Sequence, residues 1–223
     1  MISLSNRLNE ITKYISKQDK VIDVGCDHAL LGIYLIKNKL VSNIICSDIV
    51  EKAIERAKEN SNKYKVNIDL RLGDGLKVLN NTDDINTIII SGMGYFKMRK
   101  ILEDYKHNLN NINKIIIQTN TKEYDIRKYI TRIGYLINKE SIIKDNNIYY
   151  TNIMFTKGKE NYSNKELRLG PKLLLSKNKL FLDYLNNLIN NNEMLLKIIP
   201  KKYLILRLKK KIDIYLLKRE IKL

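Results

Sequence analysis

Apolar residues recur at helical spacing at Leu4, Leu8, Ile11 and Ile15, which predicts a leading helix over residues 4–16. Lys20–Cys26 then concentrates Val21, Ile22 and Val24 ahead of Gly25, the pattern of a short buried strand. Between His28 and Asn38 the residues Leu30, Leu31, Tyr34 and Leu35 return to a helical period. Asn43–Ile49 reads as a second strand and Glu51–Asn62 as a polar helix. Asn67–Leu72 is a third strand that runs into the turn Gly73-Asp74-Gly75. Ile85–Ile90, rich in β-branched residues, is a fourth strand ending at Ser91-Gly92-Met93-Gly94. A helix is predicted over Phe96–Leu109, a strand over Lys114–Gln118 and a helix over Glu123–Ile133. Tyr135–Ile143 and Ile148–Lys157, joined through Asp145-Asn146-Asn147, form an antiparallel hairpin.

Strands alternating with helices and closed by a hairpin predict an α/β fold, an open and mostly parallel sheet with helices on both faces. Ligands of such sheets bind beyond the carboxyl ends of the strands. The composition changes near Lys157–Lys165, where Gly, Asn and Ser accumulate. Beyond it, Leu180, Phe181, Tyr184, Leu185, Leu188 and Ile189 mark one amphipathic helix, and Ile205, Leu208, Ile212 and Tyr215 mark another, with Pro200 between them as a breaker. The expected organisation is a domain over residues 1–158 followed by a basic helical hairpin over residues 159–223.

The chain has 223 residues, enough for one α/β core and a small appendage, and its composition of 44% apolar and 29% charged residues is that of a globular protein. No apolar run is long enough to span a bilayer, and the first residues lack a signal-peptide pattern. Cys26 and Cys46 lie in apolar stretches and resemble neither a disulfide framework nor a metal-ligand set, so a reducing cytoplasm is the expected compartment. The net charge of +17 partly reflects an Asn-, Ile- and Lys-rich composition. Its distribution is more telling: residues 159–223 carry 16 Lys and Arg against 6 Asp and Glu, whereas residues 1–158 carry 25 against 18. A concentrated basic field attracts polyanions; the alternative is a solvated Lys-rich helical surface.

Candidate chemistry sits at the strand ends. In Val21-Ile22-Asp23-Val24-Gly25-Cys26-Asp27-His28-Ala29, Gly25 leaves room for a cofactor against the backbone, and Asp27 or His28 stands near the next helix cap. A dinucleotide site would use Gly-x-Gly-x-x-Gly to seat a pyrophosphate on bare backbone. Here Asp27 replaces the second glycine, which suits a cationic ligand such as S-adenosylmethionine, whose methionine end Asp23 and Asp27 would bind; simple helix capping is the alternative for Asp27. Asp48, at the end of the second strand with Ile49 behind it, is placed to accept bonds from ribose hydroxyls. Asp74, next to Gly75, would receive an adenine amino group or serve only its turn. In Ser91-Gly92-Met93-Gly94-Tyr95 the two glycines would let a flat substrate approach, with Tyr95 or Phe96 stacking on a base, unless Phe96 belongs to the core. Asn120, after Gln118-Thr119, would bond a base edge or cap the following helix. His28 and His107 do not suggest a metal site, and no nucleophile–His–acid set is visible, which favours direct transfer over covalent catalysis.

These residues, taken together, resemble the bacterial TrmK family of tRNA adenine-N1 methyltransferases, which act on adenine 22 of tRNA. The resemblance rests on Asp23-Val24-Gly25-Cys26-Asp27-His28-Ala29-x-Leu31, Gly73-Asp74-Gly75-Leu76, Gly92-Met93-Gly94 and Gln118-x-Asn120, with Leu169-Gly170-Pro171 before the C-terminal helices. It covers almost the whole chain and departs from the family pattern at Tyr95, usually Gly, and Thr119, usually Pro. It implies a class I S-adenosylmethionine-dependent methyltransferase, Rossmann-like with a mostly parallel seven-stranded sheet and a C-terminal coiled-coil-like hairpin. It further implies a tRNA substrate gripped by that hairpin and Asp27 needed for activity; a monomer, with no metal and no membrane partner, is expected. The cofactor would lie against Asp23, Gly25, Asp27, His28, Asp48, Ile49, Asp74, Gly75, Ser91 and Gly92, and the substrate against Met93, Gly94, Tyr95 and Asn120. A methyltransferase of the same fold acting on ribosomal RNA or protein, an NAD-dependent oxidoreductase and a non-catalytic RNA-binding module are the alternatives.

Overall fold

A computed structural model describes residues 2–222, apart from the side chain of Asn108. The strands are β1 (Val21–Val24), β2 (Ile44–Asp48), β3 (Asp69–Leu72), β4 (Thr87–Ser91), β5 (Lys114–Thr119), β6 (Tyr135–Asp145) and β7 (Ile148–Lys157). They form one sheet in the order β3-β2-β1-β4-β5-β7-β6. The first five pair in parallel, and β7 runs antiparallel to both β5 and β6. The helices are α1 (Asn6–Thr12), α2 (Leu30–Lys37), α3 (Glu51–Tyr64), α4 (Tyr95–Asp104), α5 (Glu123–Arg132), α6 (Asn164–Leu169), α7 (Pro171–Ser176), α8 (Lys179–Ile198) and α9 (Leu204–Lys222).

The central strands β1, β4 and β5 are buried on both faces, which is why they read as continuous apolar runs instead of an alternating pattern. One core layer joins Ile22, Ile88, Ile90, Ile115 and Ile117 to α4 and α5 through Met98, Leu102, Ile126 and Ile130. A second joins Val21, Ile89 and Ile116 to α1 and α2 through Ile11, Leu31 and Leu35. The strand order reverses at β1, with β2 on one side and β4 on the other. A ligand crevice belongs at that switch point. The hairpin turn uses Asn146 and Asn147, both left-handed with φ of 47° and 62°, as a two-residue turn between twisted strands requires.

Some elements depart from the expected ones. The helix expected over Phe96–Leu109 ends at Asp104 and gives way to a 3-10 turn over Lys106–Asn111, where an Asn-rich stretch has poor helical propensity. The leading helix is shorter than 4–16, capped by Ser5 and ending at Thr12. Two short helices, α6 and α7, occupy the stretch expected to begin the appendage.

The chain divides into compact units Met1–Leu174 and Leu175–Leu223, later than the expected division after Gly158. A buried ion pair explains the later position. Arg127 Nε donates to Glu140 Oε1 at 2.7 Å, and its Nη1 donates to the carbonyls of Leu167 and Arg168 at 3.1 and 3.3 Å. Glu140 Oε2 accepts from Lys172 N at 3.0 Å. Gly170 crosses directly above this pair, where a Cβ would stand 2.7 Å from Glu140 Oε2. Pro171 then opens α7 at a position that needs no amide donor. The sequence 166–172 is thus tied to the first unit by hydrogen bonds that leave the buried charges satisfied.

In the second unit α8 and α9 pair antiparallel. Arg207 Nη1 donates to the carbonyl of Leu196 at 2.7 Å, and Lys210 donates to Asn192 Oδ1 at 3.0 Å. Asn178 caps α8 through a bond from Phe181 N. Among the described residues no helix is long and apolar enough to cross a membrane.

Candidate active site

Two adjoining cavities lie at the carboxyl ends of β1, β2 and β4. The first, about 380 Å³, is lined by Arg7, Asp23, Gly25, Asp27, His28 and Ser91 among others. The second, about 450 Å³, is lined by Asp48, Ile49, Asp74, Gly75, Met93 and Lys100 among others. Gly25, Ser91 and Gly92 border both. A larger cavity of about 620 Å³ opens at the amino ends of the strands. Charged groups along its wall are already paired, Lys20 with Asp84 and Arg71 with Asp83, and it lies at the wrong end of a parallel sheet for a ligand.

The turn after β1 has an unusual backbone. Gly25, Asp27 and Ala29 have φ of 73°, 49° and 51°, so two side-chain-bearing residues take the left-handed conformation within three positions. Such strain persists only where surrounding contacts hold it, and it concentrates at functional sites. Two contacts do so here. Asp48 Oδ2 accepts from Asp27 N at 3.0 Å, and Gly25 and Cys26 both donate to the carbonyl of Ser47, at 2.8 and 3.0 Å. Helix α2 therefore begins only at Leu30, its N-cap is Ala29, and no side chain caps it. The capping alternative for Asp27 is overturned: its side chain is 67% exposed, 3.4 Å from His28 Nε2, and available to a ligand.

Asp23 supplies the floor. Its side chain is buried, and its Oδ1 is the one buried side-chain polar atom among the described residues with no hydrogen-bond partner. Burial, and then the neighbouring Asp48 carboxylate, push its pKa up to about 7. An orphaned buried carboxylate facing a cavity that also holds Asp27 is a site for a cation or a strong donor. The ammonium of a methionine moiety meets that requirement; a diphosphate does not. The residues therefore fit S-adenosylmethionine.

In the second cavity Asp48 Oδ1 accepts from Val50 N at 3.0 Å, so both carboxylate oxygens carry backbone amides and retain further acceptor capacity for ribose hydroxyls. Asp74 pairs with Lys77 at 2.9 Å, which holds its carboxyl below the usual carboxylate range. Ile49 is 66% exposed beside it, an apolar surface suited to a flat ring. Gly25 takes a φ of 73°, which residues with a side chain rarely adopt, and a Cβ there would also lie 2.0 Å from Met93 Cε and displace the methionine tip that packs on it at the junction of the two cavities.

The structure thus brings Asp23, Gly25, Asp27, His28, Asp48, Ile49, Asp74, Gly75, Ser91, Gly92 and Met93 to one cleft. The remaining expectations are less direct. Gly94 has an ordinary φ of −74° and simply precedes α4, so only Gly92, at φ 68°, uses glycine's freedom. Tyr95 packs against the core, whereas Phe96, weighed as a core residue, is 74% exposed. Asn120 is exposed and caps nothing, because the N-cap of α5 is Lys122. Gln118 is buried and faces the chain: its Nε2 donates to Asn152 Oδ1 and the carbonyl of Arg7, at 2.9 and 2.7 Å. Arg7, which the sequence pattern did not single out, lines the first cavity; a lone arginine in a short helix carries no motif by which to find it.

Comparison with known proteins bears directly on this cleft. The family model TrmK, tRNA (adenine(22)-N(1))-methyltransferase, matches residues 21–219. The chain belongs to this family. The curated tRNA (adenine(22)-N(1))-methyltransferase of Bacillus subtilis is 30% identical over 81% of this chain and 79% of its own length. The structure of M. capricolum TrmK in complex with the natural cofactor product S-adenosyl-homocysteine superposes with a TM-score of 0.86 at 30% identity, covering 98% of both chains. That of the B. subtilis M1A22 tRNA methyltransferase TrmK gives 0.86 at 25% identity, over 99% of this chain and 100% of that one. The similarity to TrmK structures therefore extends over the C-terminal helices as well as the seven-stranded Rossmann-like sheet of this chain.

Proposed function

We propose that the two cavities hold one molecule of S-adenosylmethionine, its methionine end against Asp23 and Asp27 and its adenosine against Asp48, Ile49 and Asp74. The family's activity is the methylation of N1 of adenine 22 in tRNA, and this chain is an enzyme of that kind, dependent on S-adenosylmethionine. The observation that carries the placement is Asp23, whose buried Oδ1 lacks a partner within the protein.

When bound, the cofactor supplies an electrophilic methyl group on a sulfonium. Adenine N1 already carries a free lone pair, so no residue need act as a base before transfer. The protein has instead to position the base, exclude water and stabilise the positive charge that the base acquires. Asp27 has the exposure and the fixed backbone for one of two tasks, orienting the methionine moiety or facing the charged adenine. N1 lies on the Watson–Crick edge, so the base enters unpaired or flipped from its stack. Gly92-Met93-Gly94 forms the rim it passes, and Phe96, exposed at the start of α4, offers a stacking surface. The basic second unit binds the tRNA backbone.

Methylation of an unmodified tRNA transcript with labelled cofactor, followed by mapping of the modified base, tests the reading; label at a base other than adenine 22 refutes the substrate assignment. Asp27→Asn separates the two tasks. Retained cofactor affinity with lost turnover assigns Asp27 to the adenine, and lost affinity assigns it to the cofactor.

A further inference from the structure

The second cavity carries two cations for which the cofactor has no use. Lys97 and Lys100, on α4, line it together with Asp48 and Asp74. Both residues are exposed, and three positions apart they share one face of the helix, where like charges repel. The carboxylates nearby are already matched to other groups. Lys77 Nζ stands 2.9 Å from Asp74 Oδ2 and 3.3 Å from Asp104 Oδ2, and Arg99 Nε stands 2.7 Å from Glu103 Oε1. Arg99 also lies over Tyr129, its Cζ 5.4 Å from the ring centroid, which ties it to α5. Both oxygens of Asp48 accept backbone amides. Among the described residues no carboxylate pairs with Lys97 or Lys100.

S-adenosylmethionine has no phosphate, and its single carboxylate belongs to the methionine end, in the other cavity. Its sulfonium is itself cationic, so two ammonium groups beside its adenosine gain nothing from it. The anion that the reaction does bring is the RNA backbone. A base drawn out of its stack leaves its sugar and phosphates at the mouth of the cleft, and phosphate contacts are what fix a nucleic acid in position. Lys97 and Lys100 lie within two helical turns of Gly94, the N-cap of α4 at the rim. Phe96, exposed on the same stretch, adds a ring to the two cations, and a stacking surface interleaved with cations suits an unpaired strand.

We propose that Lys97 and Lys100 form a phosphate clamp: they bind a phosphodiester adjoining the target adenine and hold the flipped nucleotide with its base in the cleft. This rests on the cofactor placement and the tRNA substrate given above. It divides the work of RNA binding, since the second unit holds the body of the tRNA by charge while α4 holds the one nucleotide that reacts.

Single uncharged linkages in the RNA isolate the contact. Transcripts ligated from two halves carry one methylphosphonate on the 5′ or the 3′ side of adenine 22, or at a distant control position, and kcat/KM for methylation is measured with labelled cofactor. Full-length wild type should lose about tenfold at one of the two flanking linkages, the effect of one charge-assisted contact, and much less at the control. The double variant Lys97→Gln, Lys100→Gln should show a similar loss on the ordinary transcript and no further loss at that linkage. Its slope of log kcat/KM against log salt should be shallower by about 1. Lys97→Arg, Lys100→Arg, which keeps both charges, should retain most of the rate. Both positions are exposed, so the variants should melt as wild type does, and calorimetry should find no fall in affinity for S-adenosylmethionine. An unchanged rate in the double glutamine variant, losses that multiply with those of both flanking linkages, or a fall in cofactor affinity that accounts for the lost rate, overturns the clamp. Wild type that leaves adenine 22 of the ordinary transcript unmethylated overturns the underlying substrate reading instead.

Discussion

At the scale of single residues, Asp23 carries the most information. An unfolded aspartate ionises near pH 4, whereas the folded one stays protonated up to about 7 because burial, and then Asp48, disfavour its charge. Its folded pKa is raised, so its contribution to stability is fully present in acid and is lost as pH rises from about 4 to about 7. The melting temperature of Asp23→Asn relative to wild type should therefore climb across that interval and level off above it, which melts at a series of pH values will read. Cofactor binding runs the other way. A cationic ligand prefers the ionised carboxylate, so wild-type affinity should rise through pH 7 with release of a proton, and Asp23→Asn should bind weakly with a flat profile. Calorimetry in buffers of different ionisation enthalpy measures both. Gly25 gives a sharper loss: Gly25→Ala places a Cβ 2.0 Å from Met93 Cε at a φ of 73°, and should cost at least tenfold in cofactor affinity. These acids and glycines were legible in the sequence because each ends a strand of a recognisable α/β pattern. Arg7 was not, because its place depends on Gln118 and Asn152, 111 and more residues away.

At the scale of elements, periodicity located every strand and the long helices, since buried β-branched runs and amphipathic faces are properties of contiguous residues. It missed α6 and α7, whose reason for folding is not their own pattern. Helix α6 has no buried residue; it holds a capping box at Ser163 and Glu166 and lends its last carbonyls to Arg127. A short helix with so little apolar surface depends on such tertiary bonds. Arg127 and Glu140 show the consequence: removing either partner leaves a charge buried with side-chain exposure of 2% or less. Arg127→Met should destabilise the fold by about 3–5 kcal/mol in denaturant titration. Limited proteolysis should then open the chain first near residues 160–170. The double variant Arg127→Met, Glu140→Leu should recover a large part of the loss, because no isolated charge remains.

At the scale of the whole molecule, the sequence showed the charge asymmetry but not its form. The second unit exposes Lys201, Lys202, Lys209 and Lys211 alongside apolar Tyr203, Leu204 and Ile205, the last two more than 70% exposed. Cations on an exposed surface contribute to polyanion binding by releasing counterions, so their effect is read in the salt dependence more than in a single affinity. Replacing these four lysines by glutamine should weaken tRNA binding and lower the slope of log affinity against log salt by about 3, from roughly 0.7–0.9 per neutralised phosphate. The same variant should bind S-adenosylmethionine as wild type does, because the cavity residues all lie within Met1–Leu174. Filter binding across a salt series, paired with cofactor titration, separates the outcomes. An unchanged slope would mean that these lysines are only a solvated face and that the tRNA backbone is held elsewhere; a parallel loss of cofactor affinity would mean that the second unit supports the fold of the first.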